Sequence, residues 1–211
     1  SNSRVNIILL DDQRLHMGSG AESTFEYCKD ISLSLCQHHI NSNNAIGLLT
    51  HQKYIKPMSG RNHLLTLEMI AAGLELKEFR SHDLYHKSTK IPSEIQTFKT
   101  RLTHMLGQES NTYIVTSIMP GKLWDFYLDF IKTASRKSKM VHLTIVEGLT
   151  YMSKNSHKDD LLWINQMKSK LPMVIEETRE FCKNNNISLS IVQMSDQTFE
   201  SLKVRDAFER S

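Results

Sequence analysis

The stretch VNIILLDDQRLHMGSG, Val5 to Gly20, carries the reading of the fold. Its first six residues, Val5 to Leu10, are almost continuously apolar and rich in β-branched side chains, so no face is left for water. A strand of that kind is covered on both sides, as in a parallel sheet. It then runs straight into two acids, Asp11 and Asp12, at a place where a strand of such a sheet presents its carboxyl end.

The same grammar repeats outward from there. Ser23 or Thr24 caps a helix reaching about Asn41, with Phe25, Cys28, Ile31, Leu35, Cys36 and Ile40 on one side. Asn44 to Thr50 reads as a second buried strand, and Lys53 to Met58, with Pro57 near its end, as an edge strand. Asn62 to Leu76 has helical spacing, and 77–90 is polar and without clear period. A helix follows from about Pro92 to Leu106, then a strand over Asn111 to Ser117, a helix over Lys122 to Ala134 and a strand over Met140 to Glu147. A helix is expected from Asp160 to Asn184, interrupted or kinked at Pro172, then a strand from Ile187 to Gln193 and a closing helix from Thr198 to Glu209. Strands separated by helices of this length imply right-handed crossovers. The expectation is a doubly wound, mostly parallel α/β sheet with helices on both faces and one antiparallel edge strand. Ligands of such sheets meet the carboxyl ends of the strands, which directs attention to Asp11 to Gly20, Met58 to Asn62 and Ser117 to Gly121.

Composition narrows the function classes. The 26 basic and 23 acidic residues leave a net charge of +3 and are scattered, so the chain has no footprint for nucleic acid. The run Arg136 to Lys139 reads as a solvated loop. Cys28, Cys36 and Cys182 are odd in number and form no C-x-x-C, which fits a reducing, cytoplasmic setting. No apolar run reaches the roughly 20 residues of a membrane span. Residues 1–3, Ser-Asn-Ser, read as a cloning remnant ahead of a single domain, 4–211, taken from a longer protein.

Several chemistries can be weighed on their residues. Asp11-Asp12 is similar to the acidic pair of receiver domains, but no other strand ends supply the required aspartate and lysine in order. His82 and His86 have the i, i+4 spacing of a zinc-peptidase helix, in a loop-like stretch and without a third ligand. A zinc hydrolase built on that pair is one alternative function. Walker, nucleophile-elbow and dinucleotide motifs are absent, and Ser59-Gly60 and Pro120-Gly121 read as turns. Trp124, Phe126, Tyr127 and Phe130 form an aromatic group partly in the core, with Trp124 a candidate anchor for a partner if exposed.

Five stretches together resemble the von Willebrand factor A fold, and more narrowly the bacterial family known as domain of unknown function 58. They are IILLDDQRLHMGSG (7–20), STFEYCKDISLSLC (23–36), AIGLLTH (45–51), KPMSGRNHLLTLEMIA (56–71) and YIVTSIMPG (113–121). In metal-binding members of that fold the first turn reads D-x-S-x-S, supplying oxygens to magnesium. Asp12 matches the aspartate, but Arg14 and His16 stand at the serine positions. The second-loop threonine has no counterpart among Ser59, Gly60 and Arg61, and Ile118 follows Ser117 where the third-loop aspartate belongs.

The resemblance therefore implies a non-catalytic protein-binding module with a degenerate metal site and no cofactor, built around Asp11, Asp12, Arg14, His16, Ser59, Arg61 and Ser117. An irregular Mg or Mn site using Ser19, Ser59 and Ser117 is the other alternative. Arg14 either pairs with Asp12 in place of the metal or points to water. The family further implies a protein partner, a MoxR-type ATPase, and tethering to the cytoplasmic face of a bacterial membrane through segments outside this chain.

Overall fold

A computed structural model describes residues 3–79, 90–107 and 109–195. Six strands form one sheet in the order β3-β2-β1-β4-β5-β6. They are β1 (Arg4–Leu9), β2 (Ala45–Leu49), β3 (Tyr54–Met58), β4 (Ser110–Ser117), β5 (Met140–Glu147) and β6 (Ile187–Gln193). All neighbours pair in parallel except β2 and β3, which are antiparallel, with Leu49 opposite Tyr54 and Ile46 opposite Met58. The sheet is thus the mostly parallel one expected, with its antiparallel strand at the edge. Val5 and Ile7 to Leu10 are almost wholly buried, as a strand covered on both faces requires.

The helices are α1 (Thr24–Asn41), α2 (Arg61–Ala72), α3 (Ser93–Met105), α4 (Lys122–Lys137), α5 (Leu149–Asn155) and α6 (Lys158–Asn184). Helix α1 lies against β1, β2 and β4 and carries α2 beside it, whereas α3 packs on α4. The indole of Trp124 in α4 donates to Thr178 Oγ1 in α6 at 3.0 Å, tying those two helices together. Right-handed crossovers place α1 and α4 on opposite faces, because the chain moves one way along the sheet from β1 to β2 and the other way from β4 to β6. The order reverses between β1 and β4, the place where ligands of doubly wound sheets commonly bind.

Local chemistry sets most boundaries. Ser23 caps α1 by accepting from the Glu26 amide at 3.1 Å. Cys28, Cys36 and Cys182 are all buried free thiols, and burial pushes each thiol's pKa up. Three expectations need correcting, and one helix adds to them. Helix α2 ends at Gly73 rather than near Leu76, freeing the following residues to run beside Asp12. Arg136 and Lys137 are the last turn of α4, where cations suit the helix dipole, and not a loop. Helix α5 was not foreseen. Helix α6 runs through Pro172 without ending, since Ile164 and Leu171 before it and Thr178 and Cys182 after it are all buried and hold both halves down. The expected helix over Thr198 to Glu209 lies outside the described residues.

Gly18 sits at φ +84° in the turn after β1, and a Cβ there would run into the Glu22 carbonyl oxygen and the Met152 methyl. Gly18→Ala combines a left-handed backbone with a collision against main chain, so a loss of about 2 kcal/mol is expected in urea unfolding. A neutral result would mean the turn re-forms without its glycine.

Candidate functional site

The two acids after β1 have separate duties. Asp11 is fully buried and faces the end of β2: Oδ1 accepts from the His51 amide at 2.7 Å and Oδ2 from Gln52 Nε2 at 2.8 Å. Thr50 Oγ1 closes the same turn by accepting from the Gln52 and Lys53 amides. Asp11 therefore fixes the β2 terminus.

Asp12, also fully buried, is surrounded by donors. Oδ1 accepts from the Arg14 amide at 3.0 Å and from Arg14 Nε at 2.9 Å; Oδ2 accepts from Arg14 Nη2 at 2.7 Å and from the Tyr127 hydroxyl at 2.6 Å. The guanidinium meets the carboxylate side-on through two parallel bonds, the strongest form of this pair. Its other side reaches Glu94 Oε1 at 2.8 Å, and its Cζ lies 4.7 Å from the centre of the Phe79 ring. Burial pulls the Arg14 pKa down, but its bonds and charge interactions with Asp12 and Glu94 outweigh that and leave it above its ordinary value. Main chain completes the frame. The Lys77 amide donates to Asp11 O at 2.8 Å and the Gln13 amide to Lys77 O at 3.2 Å, so the segment after α2 pairs alongside Asp12.

The network continues to β2. Tyr127 donates to Asp12, so its oxygen accepts from His51 Nε2 at 2.8 Å and that nitrogen carries the imidazole proton. The His51 ring packs 4.2 Å from Phe98 and 5.0 Å from Phe79 between centroids. Burial lowers the His51 pKa, and burial together with the Asp12 charge drives the Tyr127 pKa well up. A continuous chain, His51 to Tyr127 to Asp12 to Arg14 to Glu94, thus spans β2, α4, the β1 turn and α3.

His16 is a structural brace. Its Nε2 donates to Leu10 O at 2.7 Å and its Nδ1 lies 3.1 Å from Thr24 Oγ1. Burial takes its pKa down to about 4. Ser117 is buried at the end of β4, near Asp11, and is followed by buried Ile118, so that loop brings no carboxylate.

Ser59 and Arg61 do not join the site. Because β3 is antiparallel, Met58 lies opposite Ile46 at the start of β2, and the residues after it emerge at the other end of the sheet. About 13 Å of strand separates Ile46 from Thr50. Gly60 and Arg61 instead line a groove with Asn41 and Asn43 at the base of α1. An irregular oxygen site using both Ser59 and Ser117 is ruled out by that geometry. His82 and His86 lie outside the described residues, and among the described residues no three His, Cys, Asp or Glu side chains gather to hold a metal. Trp124, a candidate surface anchor, is 1% exposed and belongs to the core.

A divalent cation of the kind the resemblance implies does not fit the turn. Both Asp12 oxygens are committed to donors, and the Arg14 charge occupies the space beside them. The sequence reading passed over His51, Glu94 and Phe79. The end of β2 was a detectable signal for His51, because it is another carboxyl end beside β1, whereas nothing in the sequence placed the start of α3 against Arg14. The chain matches no protein-family model and no curated protein.

Proposed function

We propose that the chain is a non-catalytic, metal-independent protein-binding module of the von Willebrand A type, akin to the bacterial family of domain of unknown function 58. The observation that carries this reading is the side-on Arg14 and Asp12 pair, which puts a fixed cationic group where the fold's metal-binding members hold a metal ion. The sheet order, reversing between β1 and β4 with an antiparallel edge strand, supports the fold type. The partner is a MoxR-type ATPase, met without any nucleic acid or cofactor. The full-length protein works at the cytoplasmic face of the membrane, tethered by segments outside this chain; no helix among the described residues is long and apolar enough to cross one.

Calorimetric titration with manganese tests the site, and capture of a purified MoxR-type ATPase from a genome encoding this chain tests the partner. Manganese should give no saturable heat, and capture should persist in chelator. Micromolar manganese binding abolished by Asp12→Ala would replace this reading with a metal-dependent one, and stoichiometric zinc lost in His82→Ala would point to the hydrolase.

A further inference from the structure

Beside the Asp12 network, at the carboxyl end of β2, a groove of about 230 Å³ is lined by the half-buried rings of Phe79 and His51, with the buried Phe98 beneath them. That is below the roughly 300–1,000 Å³ of sites for cofactors and drug-sized ligands, so it suits one or two side chains. Its rim carries Lys77 and Arg101, both exposed, and Glu94. The charges do not cancel: Glu94 is taken by Arg14 at 2.8 Å, whereas Lys77 and Arg101 have no ion pair among the described residues. Arg101 is also held in place, since its Nη1 donates to His51 O at 3.0 Å. Lys77 is positioned by its backbone pairing with the β1 turn. One anchored guanidinium and one exposed ammonium therefore stand at the rim of a groove sized for a side chain.

We infer that this groove binds an acidic peptide segment of a protein partner, with an apolar or aromatic side chain against Phe79 and flanking carboxylates on Lys77 and Arg101. The inference rests on the reading of the chain as a protein-binding module and names the chemistry of what it binds. A carboxylate gains charge-assisted hydrogen bonds from the fixed guanidinium, and the ring beside it removes apolar surface from water. A nucleic-acid strand is disfavoured by the small volume and by the buried acids behind the floor.

The test uses the full chain and an array of short peptides in which one Phe, Tyr or Leu is flanked by Glu or Asp, each beside its Gln or Asn counterpart. Acidic members should bind and their amide counterparts should not, with affinity falling as salt rises. By fluorescence anisotropy, Lys77→Glu with Arg101→Glu should weaken the best binder by about tenfold or more. Thr97→Trp, which fills the groove and leaves the charges, should do likewise, and Lys139→Glu at the far end of the sheet should change nothing. Equal binding of amide counterparts, indifference to both groove variants, or binding of benzoate with no acidic peptide would each overturn the inference. Capture of the ATPase that the groove variants leave intact would sink the groove alone. Acidic peptides binding in the groove with no ATPase captured would sink the partner assigned above.

Discussion

Replacing Arg14 with Ala should cost about 3 kcal/mol and lower the melting temperature by about 6–12 °C. The reason is what it leaves behind. Asp12 is fully buried, and without the guanidinium it keeps only the Tyr127 hydroxyl and the residue-14 amide against a negative charge it can no longer share. Removing one partner of a buried pair exposes the remaining charge to its full desolvation penalty, which exceeds what the pair itself contributed. Asp12→Asn in the same background should therefore recover part of the loss, so the double variant falls short of the sum of the singles. Arg14→Lys should rescue weakly, because an ammonium cannot present the two parallel donors. A melting temperature within a degree of wild type for Arg14→Ala would show the guanidinium to be a solvated charge, and the metal-replacement reading would go with it.

Acid should destabilise the protein well before its carboxylates are protonated, and His16 should be a main cause. Its pKa is lowered from 6.5 to about 4 by burial. Between those values the unfolded chain binds a proton that the folded chain refuses, so the His16 contribution is intact above pH 6.5 and is lost as pH falls toward 4. A depression of that size corresponds to about 3 kcal/mol by the bottom of the window. His39 acts in the same direction, lowered to about 4 by burial and by the nearby His38 and His142. Urea unfolding at pH 7 and pH 4.5 measures the effect. His16→Gln, whose amide can still donate to Leu10 O, should be less stable at pH 7 yet lose much less on acidification, so the two curves converge. Parallel loss in both proteins would move the proton-sensitive site elsewhere.

The fold was legible because its signals are local and repeated. Val5 to Leu10, Asn44 to Thr50 and Met140 to Glu147 are short, β-branched and largely apolar runs that suit covered strands, and the helices between them leave a parallel sheet as the simplest assembly. The spacing that put Cys28 and Cys36 on the inner face of α1 likewise needs only a period of 3.6 residues. Pro172 shows the limit of such reasoning. Local preference would stop α6 there, and burial on both sides of the proline overrides it.

The turn at Asp12 divides in the same way. That Arg14 and His16, and no hydroxyls, follow Asp12 at the second and fourth places was readable directly. The pairing of Arg14 with Asp12, left open by the sequence, depends on Glu94 and Phe79 closing over the guanidinium from α3 and from the segment after α2. The separation of Ser59 and Arg61 from the site follows from the direction of β3: the link from Leu49 to Tyr54 is too short for a parallel crossover, so the antiparallel edge strand read from the sequence carries Met58 away from the carboxyl end of β1. What the sequence by itself determined is the α/β class and the inward faces, because each follows from neighbouring residues along the chain. Only the tertiary structure decided which strand ends meet and which cation answers the buried carboxylate, because those are contacts between elements that are distant in sequence.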